Sequence, residues 1–105
     1  MIDRRAAKRI PVTFHISFGP PSFGRHTGTI SDLTLNGCRL ESVAQIPVNS
    51  YLELWLEISP TDPRIFVDLA AVRWLKDQQL GIEFLSVRPE QKAQLERIIR
   101  QRPAE

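Results

Sequence analysis

The sequence predicts an all-β-dominated fold, a six-stranded antiparallel β-barrel with one C-terminal α-helix. Three observations predict it. The chain of 105 residues has room for a single core. Six short runs of strand character are separated by turn-rich stretches. Only the last segment has helical periodicity, and the connections are too short to carry parallel crossovers.

The first run, 12–18, alternates Val12, Phe14, Ile16 and Phe18 with Thr13, His15 and Ser17, the period of a half-buried strand. Gly19-Pro20-Pro21-Ser22-Phe23-Gly24 then forms the longest irregular stretch, a candidate binding loop. Strand runs come next at 27–32 and 37–42. In 51–58, Leu52, Leu54, Leu56 and Ile58 alternate with Tyr51, Glu53, Trp55 and Glu57. The runs 65–75 and 80–84 flank Lys76-Asp77-Gln78-Gln79, which predicts a hairpin. Pro89 suits a first helical position and Glu90 suits the positive end of a helix dipole. Leu95, Ile98 and Ile99 then make one apolar face, with Arg97 and Arg100 toward water. Three parts are expected: a flexible basic arm at 1–10, the barrel and helix at 11–101, and a tail at 102–105.

The apolar share of 42% and the charged share of 25% are those of an ordinary soluble domain. No apolar run reaches the roughly 18 residues needed to span a bilayer, and the basic N-terminus lacks the apolar stretch of a secretory signal. The single cysteine, Cys38, has no internal disulfide partner and fits a reducing compartment, so a cytoplasmic location is expected. Cys38 shares the phase of Leu40 and reads as a small core residue. The net charge of +2 is unevenly placed. Arg4, Arg5, Lys8 and Arg9 stand against Asp3 alone at the N-terminus, where an anionic partner is plausible, although basic termini also simply aid solubility.

Two polar constellations carry candidate chemistry. Arg5-Ala6-Ala7-Lys8-Arg9 is an R-x-x-x-R spacing, with Arg4 as a third guanidinium. The planar guanidinium fork matches a phosphate, or the O6 and N7 acceptors of guanine. A solvated basic arm explains the same residues. The second is Asp32-Leu33-Thr34-Leu35-Asn36-Gly37, between two predicted strands. The Asp32 carboxylate is an acceptor suited to the N1–H and N2–H₂ donors of guanine, and Thr34 offers a hydroxyl to a phosphate or ring acceptor. Asn36-Gly37 reads as a turn pair tolerating positive φ, with Gly37 allowing close backbone approach. The alternative is an ordinary strand connection in which Asp32 and Thr34 bond the local backbone.

R-x-x-x-R succeeded further along by D-x-T-x-x-G resembles the PilZ domain, a bacterial receptor module for cyclic di-GMP. The resemblance runs from Arg4 to about Ile99 and includes the late Gly81-Ile82-Glu83-Phe84 strand and the helix after Pro89. It implies a six-stranded antiparallel barrel with a C-terminal helix, and a role in second-messenger signalling. Arg5 and Arg9 would hold phosphates and guanine edges with Arg4 assisting, Asp32 would accept from guanine, and Gly37 would be the closing glycine. Thr34 stands where the family pattern has serine, keeping the hydroxyl and adding a methyl. In some members an aromatic residue before the last strand stacks near the ligand. Trp74 is placed to do so, although Ala70 and Val72 share its alternation phase and core packing is the competing reading.

An enzyme is not expected. His15 and His26 are far apart, no metal-ligand spacing occurs, and no nucleophile elbow or phosphate loop is present. Glu53, Glu57, Asp68 and Glu83 read as exposed strand positions. The resemblance implies a ligand-gated adaptor in which cyclic di-GMP orders the basic arm and reshapes a surface for an effector protein of unknown identity. The first alternative is a nucleotide-independent adaptor, which loss of Arg5, Arg9 or Asp32 would have signalled. The second, a nucleic-acid-binding barrel, is disfavoured because Glu53 and Glu57 surround the outward Trp55 with acid. Tyr51 and Trp55 could instead mark a docking patch, unless Trp55 tucks beneath the helix.

Overall fold

The computed structural model describes residues 10–20, 25–58 and 62–101. Residues 1–9 of the expected arm, with Arg4, Arg5 and Arg9, and the tail lie outside the described residues, as does most of the Gly/Pro loop, while Ile10 already belongs to the first strand. Six strands form a closed antiparallel barrel: β1 (Ile10–Gly19), β2 (His26–Thr34), β3 (Gly37–Glu41), β4 (Tyr51–Glu57), β5 (Ile65–Lys76) and β6 (Gln79–Ser86). Their spatial order is β1-β2-β3-β6-β5-β4, with β4 returning to pair with β1. Closure leaves no free sheet edge except where a strand outruns its neighbour. Pro11 lies on such an overhang: β4 pairs only with His15–Gly19 of β1, so the missing proline N–H breaks no ladder on that side.

The inward phase builds the core. Phe14, Ile16 and Phe18 from β1 meet Leu52, Leu54 and Leu56 from β4, joined by Ile30, Leu33, Leu40, Val67, Leu80 and Phe84. Helix α1 (Pro89–Arg100) packs against β5 and sends Leu95, Ile98 and Ile99 into the same cluster. It starts without a side-chain cap, at a proline that has no N–H to satisfy. Polar ties to β5 fix it to the barrel. The Phe66 N–H donates to Gln91 Oε1 at 2.8 Å, and Arg88 Nη2 pairs with Asp68 Oδ1 at 3.2 Å.

Asp68 is therefore not the fully exposed acid that its strand position suggested. Its side chain is 25% exposed and ties the barrel to the helix start. Glu53 is half-buried as well, whereas Glu57 and Glu83 face water. Trp55 packs against Phe66 (ring centroids 5.2 Å apart) and beneath the Arg25 guanidinium, 4.1 Å from its ring centroid. These partners come from β5 and from the segment preceding β2 rather than from the helix.

Bulges interrupt the plain alternation. Ile30 pairs with Leu40 but Asp32 pairs with Arg39, so Ser31 is an extra residue in β2. Val72 pairs with Ile82 but Trp74 pairs with Gly81, so Arg73 is an extra residue in β5. Each extra residue flips the phase of the strand beyond it. Leu33 rather than Asp32 points inward after the first, and Leu75 rather than Trp74 packs on the core after the second.

The core sets two stability outcomes. Leu95 is fully buried, so Leu95→Ala should lower unfolding free energy by about 2–5 kcal/mol in urea titration. Burial pushes the Cys38 thiol from 9.0 up to about 12. Between those values the unfolded chain gives up a proton that the folded chain keeps, so stability falls as pH rises. The slope is about 1.4 kcal/mol per pH unit. The difference in urea midpoint between the parent and Cys38→Ala should therefore vary with pH above 9, and stay constant below about pH 8.

Candidate functional site

The two bulges place four residues in one lateral row on the outer wall. Asp32 of β2 pairs with Arg39 of β3, Arg39 with Gly81 of β6, and Gly81 with Trp74 of β5. This row lines a shallow cleft of about 270 Å³, which also takes in Thr34, Asn36 and Gly37 of the β2–β3 turn and the neighbouring Arg73 and Glu83. The structure thus gathers Asp32, Thr34, Gly37 and Trp74 around a single cleft.

Trp74 does not keep to the inward phase of Ala70 and Val72, because the Arg73 bulge turns it outward; it is 42% exposed. Its indole lies flat over Gly81, where any Cβ would run into the ring atoms Nε1 and Cε2. A large aromatic plane is thereby laid along the cleft wall instead of standing off it. The glycine opposite is what permits this, since cross-strand side chains otherwise meet at about 5 Å.

The Asn36-Gly37 turn differs from its sequence reading. Neither residue takes a positive φ; among described non-glycine residues only Asn49 and Asp77 do, and no described glycine does. Gly37 is needed for another reason: a Cβ there would collide with the backbone carbonyl of Ile82 on β6. Thr34 closes the turn locally. Its Oγ1 accepts from the Asn36 N–H at 3.0 Å and donates to the Gly37 carbonyl at 3.3 Å. The Phe84 N–H donates to the Asn36 carbonyl at 2.8 Å, anchoring the turn to β6.

Among the described residues no hydrogen bond joins the Asp32 carboxylate to the local backbone. Its Oδ2 accepts from Arg39 Nη2 at 2.6 Å, with the Asp32 side chain only 14% exposed. Arg39 Nε in turn donates to Ser31 Oγ at 3.2 Å, and Ser31 Oγ donates to the Arg39 carbonyl at 3.3 Å. On the other side of the cleft, Arg73 Nε pairs with Glu83 Oε1 at 2.6 Å. Arg39 and Arg73 escaped the sequence reading. The one signal available for Arg39 was its place two residues after Gly37, which alternation puts on the same face of β3 as Gly37.

A model of the PilZ domain matches residues 3–101. Among the curated proteins none matches the sequence. Solved structures share the fold at low identity. The PilZ domain of YcgR from Escherichia coli, solved with c-di-GMP, is 17% identical with a TM-score of 0.73, over 92% of this chain and 89% of that one. YcgR from Escherichia coli in complex with c-di-GMP gives 20% identity and a TM-score of 0.76, over 93% of this chain and 45% of that one. The inhibitor of motility MotI/DgrA from Bacillus subtilis gives 16% and 0.74, over 95% of this chain and 52% of that one. This chain thus spans about half the length of MotI and somewhat less than half of YcgR. With the family model covering nearly all of it, the chain belongs to the PilZ domain family.

Proposed function

We propose that this chain is a receptor for cyclic di-GMP that reads the nucleotide on the outer wall of the barrel and passes the signal to an effector protein. The observation that carries this reading is the register at the start of β1. Ile10 pairs with Leu33 and Pro11 with Asp32. Arg9 is one peptide bond, about 3.8 Å between Cα atoms, from Ile10. The covalent chain therefore leaves Arg9 one residue from the strand pair that carries Asp32, which is the proximity a site shared by the two motifs would need.

Charge supports the same division of labour. Within the described cleft Asp32 and Glu83 already compensate Arg39 and Arg73. A dianionic dinucleotide finds no surplus cation there, so the phosphates fall to Arg4, Arg5 and Arg9. The cleft supplies what a guanine base needs: a carboxylate acceptor in Asp32 and an aromatic plane in Trp74, laid along the wall over Gly81. Thr34 serves first by closing the turn, a task its extra methyl does not impede. Ordering of the basic arm over the cleft would be the conformational change that an effector reads. The complexes of YcgR with c-di-GMP lend this ligand its identity.

Isothermal titration with cyclic di-GMP, using GTP and cyclic di-AMP as controls, tests the reading: selective, saturable binding is expected, and absence of heat at high ligand concentration would leave a nucleotide-independent adaptor. Arg5→Ala and Arg9→Ala should each abolish binding while shifting the melting temperature little. Asp32→Ala should weaken cyclic di-GMP more than cyclic di-AMP; equal weakening would remove its guanine role. Trp74→Ala should weaken binding by about 1–3 kcal/mol, the range for base–aromatic stacking, without the loss of stability that a core tryptophan would bring.

A further inference from the structure

Arg39 belongs to neither motif, yet its guanidinium contacts the Asp32 carboxylate at 2.6 Å. Its guanidinium is held at two points at once, by Asp32 Oδ2 through Nη2 at 2.6 Å and by Ser31 Oγ through Nε at 3.2 Å. Ser31 is itself the bulge residue of β2, and its hydroxyl is fixed on the Arg39 carbonyl. The bulge that turns Asp32 outward therefore also supplies the anchor for the arginine that restrains Asp32.

We propose that Arg39 is a positioning residue for guanine selectivity, holding the plane of the Asp32 carboxylate fixed so that its remaining lone pairs face the base. This deepens the receptor reading and rests on it. Guanine offers two parallel donors on one edge, N1–H and N2–H₂, and a carboxylate meets both only in one rotation of its plane. An unrestrained aspartate would have to be ordered on binding. Here Arg39 and Ser31 have ordered it beforehand, and a carboxylate has lone pairs enough to accept from arginine and base together. Arg39 acts through Asp32 and need not touch the ligand.

The test uses the intact chain and two dinucleotides that differ only in the 2-amino group, cyclic di-GMP and cyclic di-IMP, by isothermal titration. Parent protein should prefer cyclic di-GMP. Arg39→Ala should weaken cyclic di-GMP roughly two- to tenfold, the equivalent of ordering one side chain, and weaken cyclic di-IMP less, so that the preference shrinks. Arg39→Lys, which cannot fork to Ser31 and Asp32 together, should recover only part of it. Ser31→Ala removes the anchor while leaving the ion pair and should shrink the preference by itself, which keeps the test alive if Arg39→Ala folds poorly. In an Asp32→Ala background, Arg39→Ala should change the preference no further. Equal weakening of both dinucleotides, additive loss in the double variant, or tighter cyclic di-GMP binding by Arg39→Ala would each overturn the proposal. If the parent binds no cyclic di-GMP, the receptor reading itself fails and this proposal goes with it, a result distinguishable before any variant is compared.

Discussion

The outer cleft depends on two one-residue register shifts. A barrel strand alternates strictly between core and solvent, so a polar or aromatic residue in the inward phase must either be buried or be moved out by an extra residue. Ser31 in β2 and Arg73 in β5 are those extra residues. Without the first, Asp32 would take the inward place that Leu33 holds; without the second, Trp74 would continue the phase of Val72. With both, carboxylate and indole stand in one row, separated by Arg39 and the bare backbone of Gly81.

The same constraint explains the glycines. Gly37 and Gly81 both serve close approach, the first to the Ile82 carbonyl on the adjoining strand and the second to the indole of Trp74. Neither provides a left-handed turn. The β2–β3 connection is closed instead by the Thr34 hydroxyl and by the hydrogen bond from Phe84 to Asn36, which also links the wall of the cleft to the strand that leads into α1.

Much of the architecture was legible in the sequence because period two, turn residues and a proline-started helix are local signals. The strands of β1 and β4, the 76–79 hairpin and the buried face Leu95, Ile98 and Ile99 fall where their patterns indicate. What alternation could not reveal is where it breaks. Trp74 in phase with Ala70 and Val72 looked equally suited to the core, and only cross-strand pairing exposes the Arg73 bulge. Arg39 was hidden for a similar reason: an arginine on a strand is unremarked until the register sets it opposite Asp32. The half-buried Asp68 needed the helix start, and Arg88 with it, to be placed in space.

On the proposed reading the nucleotide sits along the row from Asp32 to Trp74. Amide and indole N–H chemical shifts monitored during titration with cyclic di-GMP test it most directly. The largest changes should fall on Ser31–Gly37, on Gly81–Glu83 and on the Trp74 indole, with the Trp55 indole on its own face of the barrel little moved. Saturable binding whose shift changes centre on Trp55 and Arg25, leaving the Trp74 indole in place, would contradict it.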